Sequence, residues 1–593
     1  MAVRARYWRS TLAAALCTTL LLSAAAAPPS SKKRKRRSAA SASSSTSRTG
    51  PAISALRDKI AQLVIVPVYG GNPNVDSEEY RKYARLVRDV KVGGLIILNR
   101  YEYGNVRNAE PYSTAAFLNQ MQRLAKTPLL VAGDFERGAS MRMSVATKFP
   151  HAMAYGAAGE TSATFALGAT VAREARAIGV HWVLAPDADV NNNPDNPVIG
   201  LRSFGEKASS VAAHVQAFIE GAQSNSKYKV MLAAKHFPGH GDTATDTHAG
   251  PGILGGDRTR LDQVELAPFR TAIRNGVDAI LTAHLRVPSI ESQEDVPATL
   301  SSAVLTGLLR KQMGFEGLIV TDALDMKAIA DAYPNGEAAV RAVAAGADIV
   351  LMPPDPEAAI DALVRAVNTG RLTAKRIDES VARVAAAKAK LGLAVKRTVD
   401  LDAINDVLAS PAMEAEATRV AQRAVTLIRN QRDILPVTSR EGACLFVLTD
   451  NRRNLLGMRF AGEFRTRVPN AVIRHLDAEM TEGAFRDAFE PVPQCKAVYA
   501  AWFPQRSAIA EAFVEHLTTG PAPVALISFG DPYLVRRFPN LAGYMAAFSS
   551  VPASEVAAAK AMFGEYGLTG KMPVTIPGYA VVGDGLTLNS TIK

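Results

Sequence analysis

The sequence predicts an α/β protein in which a TIM-type (β/α)₈ barrel is followed by a smaller α/β domain, an αβα sandwich. Its 593 residues are more than one hydrophobic core accommodates. Short apolar segments alternate with amphipathic helical patterns from residue 55 to 395, which is typical of parallel βα units. The same alternation resumes after residue 412. Together these observations indicate two α/β domains.

The first domain contains eight predicted strands, at 63–66, 94–98, 129–132, 182–185, 231–234, 279–282, 318–321 and 348–352. Eight βα units within roughly 340 residues fit a barrel with several long loops. A helical segment rich in Ala and Arg follows at 374–393. We therefore expect the barrel to occupy residues 53–395.

The second domain is predicted at 412–593, after a connector at 396–411. Its predicted strands are 425–428, 444–448, 497–500, 524–529 and 545–548, with helical patterns between them. This order is typical of a mostly parallel sheet. None of these strands leads into a GxGxxG turn that opens a helix, so the sequence does not indicate a dinucleotide site.

The charge of the chain is concentrated at its beginning. The formal net charge is +12, but residues 1–50 contain ten Lys and Arg residues and no acidic residue. The remainder is therefore almost neutral and presents no broad basic face. This distribution argues against a nucleic-acid-binding or other polyanion-binding protein.

Residues 1–27 have the features of an export signal. A basic start is followed by an apolar run at 11–22 and by small residues at 23–27. We expect export to the periplasm or the outside of the cell; an uncleaved membrane anchor is the alternative. Residues 28–52 are predicted to form a disordered linker of Ser, Ala and basic residues. The linker either contacts an anionic envelope through Lys32, Lys33, Arg34, Lys35, Arg36 and Arg37 or is simply solvated.

The chain has three cysteines, and Cys17 lies in the predicted signal. Buried thiols are the default expectation for the other two, Cys444 and Cys495, with a disulfide between them as the alternative. Their spacing matches no thiolate metal site.

Ionisable residues follow five consecutive predicted barrel strands. Because the chemistry of barrel enzymes lies at the carboxyl ends of the strands, these side chains are expected to share one rim. A single Asp in this position is often only a helix N-cap. Five such positions favour a shared polar site that contains Asp134 and Glu136, Asp187 and Asp189, Lys235 and His236, His284, and Asp322.

The loop after the fifth strand is the richest in candidates for proton transfer. Its Gly and Pro residues and its ligand spacing do not fit a standard metal site, so no metal is expected. Asp246 and His248 are two residues apart and would face the same side of an extended segment. A carboxylate on one imidazole nitrogen raises the basicity of the other, as general acid/base catalysis requires. A polar turn with incidental neighbours is the alternative for this tripeptide alone.

Asp322 follows an apolar strand and would lie on a rim that also carries Arg202, Lys235 and His236. Neighbouring positive charges keep a carboxylate ionised, as a nucleophile must be.

The residues around these positions resemble a known enzyme family. KHFPGHG at 235–241, the Asp246-Thr247-His248 loop and VTDALDM at 320–326 are similar to glycoside hydrolase family 3 β-N-acetylhexosaminidases of the NagZ type. Further agreement lies in LAPD at 184–187, GLRSF at 200–204, TAH at 282–284 and AVTLIRN at 424–430. The likeness runs from about residue 55 to 580 and is strongest in the barrel.

The resemblance implies a retaining glycoside hydrolase that removes terminal β-linked N-acetylglucosamine. Asp322 would be the nucleophile, and His248 paired with Asp246 would be the acid/base. No metal and no organic cofactor is implied. The residues implied to hold the sugar are Asp134, Arg142, Arg202, Lys235, His236 and His284.

The sequence departs from the family pattern after the third strand. The family usually has Asp-Gln-Glu-Gly-Gly-Arg there, whereas this chain has DFERGA at 134–139. The change puts Phe135 in place of Gln and shifts an Arg, so recognition of the 4- and 6-hydroxyl side of the sugar is open. Thr247 stands where Ser is usual.

Two other functions compete with the hexosaminidase. Family 3 β-glucosidases and β-xylosidases generally take their acid/base from a second-domain carboxylate and lack the Asp-x-His loop. A non-catalytic cell-wall sugar-binding protein would not need both the nucleophile and the dyad. For an exported enzyme, peptidoglycan fragments are the expected substrate, with chito-oligosaccharides as the alternative.

Overall fold

The computed structural model describes residues 51–591, except 103–104, 246–249, 251, 335, 452–453 and 504–506. The predicted export signal and most of the basic linker therefore lie outside the described residues. Among the residues that are described, no helix is long and apolar enough to cross a membrane.

Eight parallel strands form the first sheet, as the sequence predicts. They are β1 (Val64–Tyr69), β2 (Gly94–Leu98), β3 (Leu130–Gly133), β4 (Trp182–Val183), β5 (Met231–Phe237), β6 (Ala279–Thr282), β7 (Leu318–Val320) and β8 (Val350–Leu351). Their order in the sheet is β7-β6-β5-β4-β3-β2-β1-β8. A parallel bridge between Val320 and Ile349 joins the two ends, so the sheet closes into a barrel.

The helices of the barrel alternate with its strands. They are α1 (Pro51–Ala61), α2 (Glu78–Arg85), α3 (Pro111–Leu124), α4 (Ala152–Ala158), α5 (Thr161–Ala177), α6 (Ala208–Gln223), α7 (Arg258–Gln263), α8 (Leu266–Arg274), α9 (Lys327–Ala330), α10 (Glu337–Ala345), α11 (Pro356–Asn368) and α12 (Ala374–Lys390). Two π-helical segments add to them, Leu86–Val90 and Ala303–Gln312.

The barrel strands are apolar along their whole length because both of their faces are covered. The interior of the barrel buries one set of side chains, and the surrounding helices bury the other. All seven residues of β5 are buried, including the charged Lys235 at its carboxyl end. Apolar packing thus fixes the backbone from which the polar residues of the rim project.

Two short ribbons extend the loops beyond the barrel. Arg100–Glu102 pairs antiparallel with Asn105–Arg107, and Gly252–Ile253 pairs parallel with Leu285–Arg286.

The second sheet contains six strands: β9 (Thr426–Asn430), β10 (Ala443–Thr449), β11 (Val472–Asp477), β12 (Ala497–Trp502), β13 (Val524–Ser528) and β14 (Gly543–Ala546). Their order is β9-β14-β13-β12-β10-β11, and only the β9–β14 pair is antiparallel. The helices around this sheet are α13 (Pro411–Ala424), α14 (Met458–Arg467), α15 (Glu482–Phe489), α16 (Ala508–Thr519) and α17 (Pro552–Met562).

Side chains from β10 enter two separate cores, one on each face of the sheet. Cys444, Phe446 and Leu448 lie in one core, whereas Leu445 and Val447 lie in the other. This alternation is the two-residue period of a strand with both faces covered. The expected αβα sandwich with a mostly parallel sheet is confirmed.

The sequence prediction missed one strand, β11. Its central residues, Arg474 and His475, are exposed, because β11 lies at the edge of the sheet and pairs only with β10. Polar side chains are common on edge strands because they discourage pairing with other chains. They also interrupt the apolar run by which the other strands were predicted.

The default expectation for the cysteines was wrong. Cys444 and Cys495 form a disulfide that links two positions 51 residues apart. Cys444 lies in β10, and Cys495 lies just before β12, its neighbour in the sheet. The pairing of these strands brings the two thiols together, which spacing along the chain alone does not indicate.

The second domain packs directly against the barrel, and the described residues belong to one compact unit. Met153, Ala154 and Ala157 of α4 lie in the same apolar core as one face of the second sheet. Polar contacts secure the long loop after β4: Asn191 Nδ2 donates to Tyr533 Oη at 3.1 Å, and Thr575 Oγ1 donates to Glu206 at 2.6 Å. The second domain therefore helps to fix a loop of the barrel rim.

Candidate active site

A cavity of about 500 Å³ opens at the carboxyl ends of the barrel strands. Its apolar lining comes from several strands, including Ile96 and Leu98 of β2 and Leu351 of β8. Its polar lining comes from the loops that follow the strands. The ionisable side chains that line it are Asp134, Glu136, Arg137, Arg142, His151, Arg202, Lys235, His236, His240, Asp322 and Asp325.

Asp134 is held by two cations. Lys235 Nζ donates to its Oδ1 at 2.9 Å, and Arg142 Nη2 donates to its Oδ2 at 2.9 Å. Arg142 also donates to Asn99 Oδ1 at 2.6 Å, which orients the guanidinium. Burial alone would raise the pKa of Asp134, but the charges of Lys235 and Arg142 outweigh it and hold the pKa well below its ordinary value. Asp134 is thus an ionised acceptor.

Glu136 is held in the same way on the other side of Lys235. Arg202 donates to it through Nε at 3.1 Å and Nη2 at 2.6 Å, and Lys235 Nζ lies 2.7 Å from Oε1. Burial opposes ionisation, but these two cations lower the pKa of Glu136 well below its ordinary value. Lys235 is only 2% exposed and bridges both carboxylates. The two carboxylates and the three cations, Lys235, Arg142 and Arg202, form a network that can present donors and acceptors to a polyhydroxylated ligand.

Asp189 orients His236 from behind the cavity. His236 Nδ1 donates to Asp189 Oδ2 at 2.7 Å, and the amide of His240 donates to Oδ1 at 2.6 Å. Burial would raise the pKa of Asp189, but its contacts with His236 and His240 outweigh burial and lower the pKa to about 2. Arg202 Nη2 lies 3.1 Å from His236 Nε2. All these contacts are satisfied when Nδ1 carries the ring proton and Nε2 accepts from Arg202.

Asp187 and His240, the neighbours of Asp189 and His236, have pKa values shifted by burial in the direction of their neutral forms. Burial and the neighbouring Asp189 raise the pKa of Asp187 well above its ordinary value. Burial lowers the pKa of His240 to about 4, so its imidazole is neutral at pH 7.

Asp322 lies directly after β7 and lines the cavity. Its Oδ1 accepts a hydrogen bond from the amide of Ala323 at 2.8 Å, which fixes the orientation of the carboxylate. The side chain is partly exposed, so the carboxylate is reachable from the cavity. A carboxylate with this access can act as a nucleophile toward a ligand held by the charged network.

Asp187, Asp189 and His236 are the described residues with the spacing of a metal site. Their ligand atoms lie within 4.8 Å of one another, and all three side chains are buried. However, His236 Nδ1 already donates to Asp189, and the guanidinium of Arg202 lies 3.8 Å from Asp187 Oδ2. A metal ion here would have to break that hydrogen bond and would face a fixed positive charge. The cluster is better described as a hydrogen-bonded network.

The structure brings together six of the predicted site residues around one cavity: Asp134, Arg142, Arg202, Lys235, His236 and Asp322. The predicted dyad, Asp246 and His248, lies outside the described residues. His284 is not among the residues that line the cavity and is buried. Its Nε2 donates to the carbonyl oxygen of Ala323 at 3.0 Å, so it supports the segment that carries Asp322.

The sequence placed Glu136 and Asp189 on the predicted polar rim, because each follows a barrel strand two residues after another Asp, but it assigned neither of them a contact with the sugar. Glu136 lines the cavity, whereas Asp189 lies behind it and holds His236. Arg137 was noted only as a departure from a family pattern. His151 had no signal: it precedes α4, and Ser549 of the second domain lies 3.0 Å from its Nδ1. Phe135 has no access to the cavity, since it is fully buried.

The comparison with known families agrees with this geometry. Residues 55–387 match the family described as glycosyl hydrolase family 3 N terminal domain. The chain belongs to glycosyl hydrolase family 3. The matched segment spans the strands that supply the charged network and Asp322.

Two relatives of this chain are named as an N-acetylglucosaminidase or a hexosaminidase. A β-N-acetylglucosaminidase/β-glucosidase of Cellulomonas fimi is 30% identical over 64% of this chain and 66% of that protein. β-Hexosaminidase A of Pseudoalteromonas piscicida is 32% identical over 62% of this chain and 64% of that protein. The chain thus spans about two thirds of the length of these relatives.

A solved family 3 structure resembles the fold over both domains. It is a β-N-acetylglucosaminidase from Paenibacillus sp. str. FPU-7, with a TM-score of 0.78 and 32% identity. The superposition covers 88% of this chain and 99% of that one.

Proposed function

We propose that this chain is a retaining glycoside hydrolase that removes terminal β-linked N-acetylglucosamine. The observation that carries the proposal is the position of Asp322, whose partly exposed carboxylate shares a cavity with the network around Lys235. The names of the family 3 relatives support N-acetylglucosamine as the sugar.

In the first step, Asp322 attacks the anomeric carbon of the bound sugar. A covalent glycosyl ester forms as the bond to the leaving oxygen breaks, and His248 gives its proton to that oxygen. In the second step, His248 takes a proton from water, and the resulting hydroxide attacks the anomeric carbon and releases Asp322. Asp246 is proposed to hold the imidazole of His248 in the orientation that both transfers need.

The network around Lys235 is proposed to bind the sugar. Asp134 and Glu136 accept hydrogen bonds from hydroxyl groups, and the cations that hold these carboxylates donate to hydroxyl oxygens. Arg142, Arg202 and His236 complete the set that lines the cavity. Because these groups already position one another, little ordering is needed when the sugar binds. His284 is proposed to act indirectly, through the carbonyl of Ala323.

We further propose that the enzyme is exported and acts on peptidoglycan fragments. The signal-like features of residues 1–27 support export. The disulfide between Cys444 and Cys495 also supports it, since disulfides persist mainly in oxidising compartments. An N-acetylglucosaminidase outside the cytoplasm would encounter cell-wall fragments, and chito-oligosaccharides remain the alternative to be tested.

The test compares hydrolysis of chromogenic β-N-acetylglucosaminide and β-glucoside by wild type, Asp322→Asn and His248→Ala. We expect a clear preference for the acetamido sugar. Its hydrolysis should fall by about 10³-fold or more in Asp322→Asn, because no nucleophile remains. His248→Ala should lose most activity as well.

The matched control is Asp325→Asn, which removes another carboxylate from the same cavity. This substitution should cost far less than Asp322→Asn. A preference for the glucoside, or wild-type rates in His248→Ala, would instead indicate a family 3 β-glucosidase. Binding of N-acetylglucosamine oligosaccharides without turnover would indicate a sugar-binding protein.

A further inference from the structure

Arg137 differs from the other cations that line the cavity. Arg142, Arg202 and Lys235 each form ion pairs with Asp134 or Glu136. The guanidinium of Arg137 makes no hydrogen bond and no ion pair with any of the residues that the structure describes. Its backbone amide donates to the Sδ atom of Met141 at 3.4 Å.

Among the residues that the structure describes, the ion pairs in the cavity leave Arg137 without a counterion of its own. Asp134 and Glu136 are each held by two cations. Arg142 also repels Arg137, whereas Glu136 attracts it weakly enough that burial still lowers the pKa of the guanidinium. An Arg side chain keeps its charge and five N–H donors in a protein. Removing such a charge from water is unfavourable unless a ligand supplies the missing acceptor.

His151 also lines the cavity, near enough for the charge of Arg137 to act on its ring, and is held by the second domain. Its backbone amide donates to Ser549 Oγ at 3.3 Å, and its Nδ1 lies 3.0 Å from the same oxygen. The amide of Val551 also donates to that oxygen, at 3.5 Å. Since Ser549 Oγ accepts from these two amides, its own proton is directed to Nδ1, which leaves the ring proton of a neutral imidazole on Nε2.

The neutral form of this imidazole prevails at pH 7. Burial, reinforced by the charge of Arg137, lowers the pKa of His151 to about 3. The wall therefore offers the forked donors of a guanidinium and one N–H donor of a neutral ring. This combination suits an oxyanion, because planar forked donors match a carboxylate or a phosphate.

We propose that Arg137 and His151, which both line the cavity, form a specificity subsite for an oxyanion, a carboxylate or a phosphate, within the candidate active site. The inference rests on the proposed function, which it deepens. The oxyanion at this subsite is either a carboxylate of the substrate, so that acidic saccharides are preferred, or a free phosphate that binds beside the glycosyl group. Ser549 is a positioning residue that acts through His151. The second domain thereby contributes to specificity at the barrel site.

The first test uses two disaccharides that differ only in charge. In both, N-acetylglucosamine is β-1,4-linked to a sugar with a 3-O-lactyl group, which carries either a free carboxylate or its methyl ester. Wild type should have a ratio of kcat/KM for acid over ester of about 10 to 100, the fold-change that corresponds to a hydrogen-bonded charge. Arg137→Met should reduce this ratio to about 1, and Arg137→Lys should retain part of it.

The second arm tests free phosphate. Inorganic phosphate is titrated into the reaction with the neutral ester. The phosphate concentration that gives half of the maximal change in the rate of ester cleavage is measured. If Arg137→Met raises that concentration about tenfold but leaves the acid-to-ester ratio at the wild-type value, the oxyanion is free phosphate. If both quantities stay within twofold of wild type, the subsite does not exist.

Ser549 is tested through the same ratio. Ser549→Ala should lower the acid-to-ester ratio, and Ser549→Thr, which keeps the hydroxyl, should restore it. A purely structural role would lower the stability of both variants without changing the ratio.

Failure of the subsite is distinguishable from failure of the proposed function. Cleavage of the ester by wild type, with both the acid-to-ester ratio and the half-maximal phosphate concentration unchanged in Arg137→Met, would overturn the subsite alone. Absence of cleavage of either disaccharide would overturn the proposed function. In that case, calorimetric titration of wild type and Arg137→Met with inorganic phosphate still decides the subsite: tenfold weaker binding in the variant supports it, and equal binding overturns it.

Discussion

Replacement of both Cys444 and Cys495 by Ala should destabilise the second domain. The disulfide closes a loop between positions 51 residues apart. The chain entropy that such a loop removes from the unfolded state corresponds to about 4 kcal/mol of stability at 25 °C. Both cysteines are buried within the sheet region, so the Ala variant also loses some packing. We therefore expect a decrease of about 4 kcal/mol in the free energy of unfolding of this domain.

Tryptophan fluorescence can assign the effect to the correct domain. Trp182 lies in β4 of the barrel, and Trp502 lies in β12 of the second sheet; both are buried. In a Trp8→Phe, Trp182→Phe background, urea unfolding reports on Trp502 alone. The double Cys variant should unfold at lower urea, and a reductant should produce a similar shift when the cysteines are present.

The prediction has a direct refutation. If thiol titration of the oxidised, unfolded wild type finds Cys444 and Cys495 free, the disulfide is absent. If reductant leaves the urea midpoint of Trp502 unchanged, the bond does not stabilise the domain as the loop-entropy argument requires.

Two further predictions concern the charged network. The pKa values of Asp134 and Glu136 are lower in the folded protein than their ordinary values. The stability that these two carboxylates contribute is therefore present above their unfolded-state pKa, near 4. It is lost as the pH falls through their folded-state pKa values. Lys235→Met removes a cation that both carboxylates share, so it should lower the free energy of unfolding by about 3 kcal/mol at pH 7. It should also shift acid unfolding, followed by circular dichroism, to higher pH. An unchanged acid transition would contradict this prediction. Asp189→Asn should reduce kcat/KM by about 10- to 100-fold, because His236 loses its ionised acceptor, and a wild-type value would show that the orientation of His236 is not needed.

The fold could be predicted from the sequence because its signals are local. Each barrel strand is a short apolar run, and all eight were found within a few residues of their observed positions. The carboxyl ends of parallel strands meet on one rim, so the pattern also placed Asp134, Lys235 and Asp322 at a common site. Their ion pairs and the access of Asp322 required the three-dimensional arrangement.

The features that the sequence did not reveal depend on distant parts of the chain. His151 enters the cavity wall because Ser549, almost 400 residues later, holds its ring and its amide. The disulfide depends on the neighbouring positions of β10 and β12 in the sheet. His284 follows a strand as the site residues do, but its ring turns toward the carbonyl of Ala323. Position relative to a strand does not determine which way a side chain points.

Trapping of the glycosyl-enzyme tests the central claim most directly. The protein is incubated with 5-fluoro-N-acetylglucosaminyl fluoride, which forms the covalent intermediate but slows its hydrolysis, and is then digested for peptide mass spectrometry. We predict one added fluoro-N-acetylglucosaminyl group on the peptide that contains Asp322, fragmentation that assigns it to this residue, and no adduct in Asp322→Asn. An adduct on another carboxylate, or turnover with an adduct that persists in Asp322→Asn, would contradict the account.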